Sequence, residues 1–141
     1  MPVAALGPEE IMTTDPGDTL ANVAKRLKEE NVGCLVVTEN DEPVGVITDR
    51  DIALAVGDGH SVSDTHVRDV MTENPVTLHE DEEAMAISRT IGEAHVRRIP
   101  VVNDDGKITG IVTLDDLVAT IGEQLGNVAD TIETQSPQYR P

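Results

Sequence analysis

Aromatic side chains are almost absent from this sequence. Its 141 residues include no Trp and no Phe, and the single tyrosine, Tyr139, lies in a polar tail. The hydrophobic content of 38% is therefore almost entirely aliphatic, and it suffices for one ordinary domain or for two small units that share a core. A flat ring bound by this protein must lie between aliphatic side chains.

Positive charge is also scarce. The chain carries 10 basic against 27 acidic residues, a net charge of -17, and its lysines are Lys25, Lys28 and Lys107. Such a charge repels phosphate backbones, so nucleic-acid polymers and anionic membranes are excluded as partners. An acidic excess over the whole surface suits a salt-rich cytoplasm, where counterions screen self-repulsion, and an acidic cation-binding surface is the alternative.

Cysteine and long apolar runs are scarce as well. The one cysteine, Cys34, excludes an internal disulfide and indicates a reducing compartment, and its run "VGCLVV" predicts a buried small hydrophobe rather than a reactive thiol. No stretch approaches the roughly 18 apolar residues that span a bilayer, and no signal-peptide core opens the chain. We expect a cytoplasmic protein.

Catalytic and metal-binding motifs are missing too. The sequence contains no G-x-x-x-x-G-K-[ST], no G-x-G-x-x-G and no G-x-S-x-G, so nothing in it marks a kinase, a dehydrogenase or a hydrolase. The four histidines, at 60, 66, 79 and 95, show no ligand spacing with Cys34. The sequence therefore predicts solvated histidines, no metal site and no enzyme.

What the chain does contain is a repeated octad. "GVITDRDI", from Gly45 to Ile52, recurs 65 residues later as "GIVTLDDL", from Gly110 to Leu117. One interpretation is a capping box, in which a Thr and an Asp three residues later satisfy backbone donors at a helix start. The other is that Thr48 with Asp51, and Thr113 with Asp116, hold a ligand.

The elements before each octad repeat at an offset of 64. Helix periodicity places Leu20, Val23, Ala24 and Leu27 on one face, capped by Asp18 or Thr19, and the equivalent face is Ala84, Ile87, Ser88 and Ile91. Paired strands follow each helix, around the turns "ENDEP" and "NDDGK". With leading strands near "IMTT" and "VTLH", each half is β-α-β-β-α, an α+β fold.

The unit boundaries follow from this alignment. We predict a first unit at 8–58, a linker at 59–66 within "GDGHSVSDTH", a second unit at 67–124, and a helix end and tail at 125–141. "TIETQSPQYRP" is expected to be a frayed tail. Helical spacing of Ile121, Leu125, Val128 and Ile132 indicates a face that packs on the pair or docks a partner, with core packing favoured.

The two copies resemble a tandem pair of cystathionine beta-synthase (CBS) domains, over about residues 8–122. The resemblance rests on "VRDVMTENPVTL", "VRRIPVVND" and both octads, in order. It implies two β-α-β-β-α motifs packed about a pseudo-twofold axis, with two clefts that bind AMP, ADP, ATP, S-adenosylmethionine or a dinucleotide. It further implies a regulatory, non-catalytic module that forms a homodimer through its helices, needs no cofactor and signals to an effector protein of unknown identity.

Thr and Asp suit such a ligand. A Thr at a helix N-terminus stands beside free backbone N–H groups and the positive end of the helix dipole, where a phosphate binds. An ionised Asp accepts hydrogen bonds and so can bind both hydroxyls of a ribose. Arg97 and Arg98 precede the second "IPVV", where guanidinium groups suit a phosphate and a surface ion pair is the alternative.

The resemblance assigns residues to two sites, one in each copy. The second site, expected to be the stronger for a phosphorylated ligand, comprises Val76, Thr77, Arg97, Arg98, Ile99, Pro100, Thr113 and Asp116. The first site comprises Met12, Thr13, Gly33, Cys34, Leu35, Val36, Thr48, Arg50 and Asp51. A scaffold that associates with itself or others through empty clefts, and a divalent-cation sensor, are the alternative functions.

Overall fold

A computed structural model describes residues 11–135 of the chain, so the start of the predicted first unit and Tyr139 lie outside the described residues. The described chain is mixed α+β, with two sheets and helices packed on them. The first half contains β1 (Thr13–Thr14), α1 (Leu20–Glu30), β2 (Cys34–Glu39), β3 (Glu42–Thr48) and α2 (Asp49–Gly57). After a 3₁₀ turn (Val67–Asp69) come β4 (Thr72–Glu73), β5 (Leu78–His79), α3 (Met85–Ala94), β6 (Arg98–Val102), β7 (Ile108–Thr113) and α4 (Leu114–Gln135).

The strand registers confirm the two-unit repeat. Thr14 of β1 pairs in parallel with Val37 of β2, and 64 residues later Leu78 pairs with Val101. The antiparallel hairpins end on equivalent pairs, with Cys34 opposite Thr48 in one unit and Arg98 opposite Thr113 in the other. The predicted β-α-β-β-α order and the offset of 64 are therefore correct.

The first hairpin turns on two residues. Asn40 and Asp41 have φ angles of 51° and 63°, and positive φ at both central positions defines the type I′ turn that matches the twist of paired strands. This turn touches the second hairpin, because the backbone N–H of Ile108 donates to the carbonyl of Asp41 at 2.8 Å and Lys107 Nζ donates to the carbonyl of Asn40 at 2.6 Å. The two units are thus joined at their turns.

Each unit has its own apolar core beneath its helices. Thr19 caps α1 by accepting from the N–H of Asn22, and the helix buries Leu20, Val23 and Leu27 of the predicted face against the first sheet. Ala24, also predicted for this face, is exposed. In the second unit, Ile87 of α3 packs with Leu78, Ile99, Val101 and Val112. These aliphatic cores fix the ends of β3 and β7, from which the octad helices start.

The chain between the units is tied to the first one. The backbone N–H groups of Leu20 and Ala21, which have no partner within α1, donate to the carbonyls of Thr65 and Val62 at 3.0 and 2.9 Å. Val67 is fully buried in the first core, and β4 then pairs with β3 as a fourth strand. The predicted linker therefore packs as part of the first unit's surface.

Helix α4 differs from its prediction. It continues without a break to Gln135, so residues 131–135 are helical rather than frayed, and the rest of the predicted tail lies outside the described residues. The apolar face predicted to pack in the core is exposed, from 41% at Ile132 to 63% at Leu125. The prediction of core packing was wrong, because α4 buries none of its described residues.

Candidate functional site

Each octad ends a strand and begins a helix. In the first, the Thr48 hydroxyl accepts a hydrogen bond from the N–H of Asp51 at 3.1 Å, and the Asp51 carboxylate accepts one from the N–H of Thr48 at 2.9 Å. Thr113 and Asp116 exchange the same two bonds at 3.1 Å each. Both predicted capping boxes are confirmed. They hold the N-termini of α2 and α4 in fixed positions, where backbone N–H groups favour an anion.

Two cavities open between the units, and each is named here after the octad threonine that borders it. The Thr48 cleft has a volume of about 340 Å³ and the Thr113 cleft about 440 Å³, sizes that suit a small molecule. The Thr48 cleft is lined by Val46, Thr48, Thr72, Asn74, Pro75, Val76, Val96, Arg97 and Arg98. The Thr113 cleft is lined by Met12, Val32, Gly33, Cys34, Arg98, Ile111, Thr113 and Asp116.

The two linings correspond through the repeat. The equivalent pairs, first in the Thr48 cleft and then in the Thr113 cleft, are Val46 and Ile111, Thr48 and Thr113, Val76 and Met12, Val96 and Val32, Arg97 and Gly33, and Arg98 and Cys34. Each cleft thus takes an octad from one unit and the residues before the central hairpin from the other. The clefts are two versions of one site, built across the interface.

This crossed composition corrects the grouping predicted from the sequence. Val76 and Arg97 were placed with Thr113 and Asp116, whereas the structure sets them opposite Thr48. Met12, Gly33 and Cys34, grouped with Thr48, stand instead opposite Thr113. The physical reason is that the units face each other across the pseudo-twofold axis, so a helix start of one unit lies over the strand starts of the other.

Eight residues of the predicted sites border neither cleft. Leu35, Val36, Ile99 and Pro100 are buried in β2 and β6, and Leu35 and Ile99 are part of the two apolar cores. Arg50 is exposed on the first turn of α2, and Asp51 is engaged in its capping box. The other two are Thr13, which lies on β1, and Thr77, which lies directly before β5.

The clefts differ in charge. Arg97 borders the Thr48 cleft, with a largely exposed side chain whose Nη2 lies 3.8 Å from a carboxylate oxygen of Asp115. The predicted alternative of a surface ion pair is therefore present at Arg97 without removing it from the cleft. Arg98 borders both clefts, and Asp116 brings a carboxylate to the Thr113 cleft alone.

Cys34 lines the Thr113 cleft and is half-buried. Burial raises the pKa of its thiol, nearby Arg98 lowers it and the Asp49 carboxylate raises it, with a net rise. The thiol is therefore protonated near neutral pH and is a poor nucleophile. The predicted unreactive thiol agrees with this environment, whereas the predicted burial is only partial, because Cys34 lies in the wall of the cleft.

Sequence reasoning missed the apolar walls. Val32 and Val96, just before the predicted residues, and Val46 and Ile111, two residues before each octad threonine, all line the clefts. The repeat itself carried this signal, since these positions match at offsets of 64 and 65. By contrast, Asn74 and Pro75 line one cleft without a counterpart among the described residues of the other, and the repeat gives no signal for them.

One group of three potential metal ligands, His79, Asp81 and Asp104, also occurs among residues 11–135, contrary to the expectation of a merely solvated His79. His79 Nε2 lies 2.6 Å from Asp104 Oδ1, and the N–H of Asp81 donates to His79 Nδ1 at 3.1 Å. Because Nδ1 accepts, the proton is on Nε2 and is donated to Asp104. The imidazole thus links two loops through both of its nitrogens.

The arrangement in the clefts suits a ligand with both an anionic and an apolar part. The capped N-terminus of α2 with Arg97 and Arg98 can bind a phosphate or carboxylate. Met12, Val32 and Ile111 give the Thr113 cleft aliphatic walls for a flat ring, while Asp116 offers carboxylate oxygens to hydroxyl groups. Among residues 11–135, no helix combines the length and the hydropathy needed to cross a membrane.

Three comparisons identify similar proteins. The chain is 34% identical over 132 residues to an uncharacterized protein, MK0525, of Methanopyrus kandleri, covering 87% of this chain and 67% of that one. It is similar to the crystal structure of the CBS domain pair of protein MJ0100 in complex with 5′-methylthioadenosine and S-adenosyl-L-methionine, with a TM-score of 0.78, 26% identity, and 88% and 98% of the two chains covered. The fold also matches CBS domain protein PAE2072 from Pyrobaculum aerophilum, complexed with AMP, with a TM-score of 0.75, 23% identity, and 82% and 89% covered.

The family model for the CBS domain matches the chain twice, at residues 6–58 and 67–123. These two matches contain the two octads and together cover most of the sequence. The two facing units, their capped helix starts and their paired clefts agree with both matches, and the chain belongs to the CBS domain family.

Proposed function

We propose that this protein is a non-catalytic sensor of an adenosine-containing ligand, of the AMP, ADP, ATP or S-adenosylmethionine type. The observation that carries the proposal is the pair of equivalent clefts, each combining a capped helix N-terminus, aliphatic walls and at least one guanidinium group. The related CBS pair of MJ0100, of similar sequence and fold, binds adenosine compounds, which supports the same ligand class here.

The clefts are suited to binding rather than to chemistry. Their linings contain no histidine, and the raised pKa of Cys34 leaves that thiol protonated. Neither lining therefore offers a nucleophile paired with a general base. Because each cleft contacts both units, a ligand that fits one arrangement of the units better than another shifts the balance between them, and this shift is the signal to an effector protein.

Calorimetry tests the proposal. AMP, ADP, ATP and S-adenosylmethionine are titrated separately into the full chain in a buffer with high potassium, beside magnesium chloride alone. An adenosine ligand at 100 times its dissociation constant is expected to raise the free energy of unfolding by about 2.7 kcal/mol. Heat with magnesium alone would favour the divalent-cation sensor. If no adenosine compound gives heat or a melting shift, the sensor proposal is wrong and the alternative of a scaffold with empty clefts is favoured.

We also propose that the chain associates with a second copy of itself through one face of α4. Exposed apolar residues recur along this helix at alternating spacings of three and four, the pattern of a coiled-coil seam. They are Val118, Ile121, Leu125, Val128 and Ile132, and this set is called the α4 seam.

The charges beside the α4 seam favour a second copy as its occupant. The positions directly beside the seam are uncharged, although the chain has a net charge of -17; they are Leu117, Gly122, Gln124, Ala129 and Thr131. The acidic residues Asp116, Glu123 and Asp130 recur at intervals of seven on the opposite face. Two equally acidic chains avoid close contacts between like charges only if they pack along such an uncharged strip. A basic partner would have no carboxylate beside the seam with which to form an ion pair.

A further inference from the structure

Arg98 lies on the boundary between the two clefts and borders both of them. Its position in the repeat corresponds to Cys34, so the other unit supplies no second cation at the equivalent place. A single guanidinium group, that of Arg98, is therefore shared by the linings of the two clefts.

The side chain of Arg98 lies near the start of α2. A Cβ placed on Gly33 would lie 3.2 Å from Arg98 Nη2 and 3.6 Å from a carboxylate oxygen of Asp49, the first residue of α2. Gly33 thus leaves room in which the guanidinium group rests. The backbone of Arg98, in turn, is the cross-strand partner of Thr113, at the start of α4. One residue therefore stands beside both helix N-termini.

Other cations do not duplicate this position. Arg97 borders the Thr48 cleft only, and Arg50 borders neither cleft. Among residues 11–135, Arg98 is the one basic residue in the lining of the Thr113 cleft, which also contains the carboxylate of Asp116. In the part of the chain that the structure describes, a phosphate in the Thr113 cleft has no other lining guanidinium to bind.

We propose that the two clefts compete for Arg98, so that a phosphorylated ligand in one cleft weakens the binding of a second in the other. The inference rests on the proposed function, since it concerns adenosine phosphates. A guanidinium that forms a bidentate pair with one phosphate is oriented away from the other cleft. The Thr48 cleft keeps Arg97 when Arg98 is engaged elsewhere, whereas the Thr113 cleft keeps no cation from the described residues.

The test separates ligand charge from ligand shape. AMP and adenosine are titrated into the full chain while ¹³C-methyl NMR signals of Met12 and Val76 report on the Thr113 and Thr48 clefts separately. A joint fit gives the intrinsic affinity of each cleft and the factor by which filling one weakens the other. For AMP we expect a weakening of about tenfold, within the usual range of coupling between sites, and for uncharged adenosine a factor near one.

Three variants assign the coupling to Arg98. Arg98→Gln is expected to weaken AMP in both clefts and to bring the coupling factor down toward the adenosine value, while Arg98→Lys retains part of the coupling. Arg97→Gln is the matched control, because it removes the same charge one residue away and should weaken the Thr48 cleft alone, with the coupling unchanged. The wild-type contrast between AMP and adenosine shows whether the coupling depends on the phosphate. Where Arg98→Gln does not fold, the reduced coupling expected of Arg98→Lys assigns the effect to the guanidinium group, and an unchanged coupling in that variant would contradict the inference.

Several outcomes would overturn the inference. Equal coupling factors for AMP and adenosine would do so while leaving the proposed function intact. A coupling factor that grows in Arg98→Gln would assign the effect to direct repulsion between the two phosphates. A single occupied cleft with either ligand would also overturn it, and no binding of AMP or adenosine would remove the proposed function together with it.

Discussion

Asp51 and Asp116 are a matched pair of residues. Each carboxylate accepts a hydrogen bond from the N–H of its octad threonine in a capping box. Substitution by Asn therefore changes the same hydrogen bond at the start of both helices. Asp116 also borders a cleft, and Asp51 does not. We therefore expect Asp116→Asn to weaken AMP binding by about tenfold or more, the value of a hydrogen bond to a charged group, and Asp51→Asn to change it little. Calorimetry measures both, and equal losses would contradict the role of Asp116 in the ligand site.

The two octad glycines are also a matched pair, and their alanine variants test how closely the neighbouring strands pack. A Cβ on Gly45 would lie 2.6 Å from Met71 Sδ and 2.9 Å from the carbonyl oxygen of Thr72, because β4 crosses closely beside β3. On Gly110 the nearest atom, Val101 Cβ, is 3.8 Å away, an ordinary contact. Gly45→Ala is expected to reduce the free energy of unfolding by about 1–3 kcal/mol, the usual cost of overpacking.

Urea unfolding of both variants checks this expectation. Gly110→Ala serves as the control and should be near neutral or stabilising, since alanine restricts the unfolded chain. If Gly110→Ala loses as much stability as Gly45→Ala, the octad glycine is needed for the conformation of its own strand, and the close packing of β4 on β3 is not the cause.

At the scale of the element, α4 is a 22-residue helix whose apolar side is exposed. If the α4 seam pairs with a second copy, Leu125→Asp places two buried carboxylates in the dimer. Losing two buried leucines costs about 3 kcal/mol or more, which raises the dimer dissociation constant by at least about 100-fold. Sedimentation equilibrium in molar potassium chloride should therefore show a dimer for the wild type and a monomer for the variant.

Asn127→Asp is the control on the same helix. It adds the same charge away from the α4 seam, so the dimer should persist. A monomeric wild-type chain at tens of micromolar, or a dimer that survives Leu125→Asp, would contradict self-association through this face. In that case the seam would be left for a different protein partner.

At the scale of the whole molecule, the net charge of -17 dominates. Self-repulsion among 27 acidic residues destabilises the compact state and is screened by salt. We expect the melting temperature to rise with potassium chloride, steeply up to a few tenths molar and little above about 1 M, where the Debye length has fallen to about 3 Å. Differential scanning calorimetry checks this course.

The shape of the salt curve distinguishes its causes. A gain that continues linearly to several molar would indicate salt exclusion from the protein surface instead of screening. A flat curve would show that the charges are already arranged without net repulsion. The predicted adaptation to a salt-rich cytoplasm stays a prediction, and a rise that levels off below about 1 M, as screening requires, would be its first physical support.

By itself, the sequence determined whatever depends on neighbours along the chain. The caps at Thr48 and Thr113, the buried face of α1 and the order of strands follow from local hydrogen bonds and apolar periodicity, and an offset of 64 revealed the second unit. It also identified Arg98, Thr113 and Asp116 together, because cross-strand pairing places Arg98 beside Thr113 within one unit.

Only the tertiary structure decided which residues face each other across the interface. Arg97 lies opposite Thr48, Cys34 lies in the cleft with Thr113, and residues 62–73 pack on the first unit, although no local pattern marks these contacts. The α4 seam has the same apolar spacing whether it is buried or exposed, and only the packing of the folded chain shows that it is exposed. A repeat specifies equivalent surfaces, but the rotation that brings one unit onto the other determines how those surfaces combine, and it places Arg98 between the two clefts.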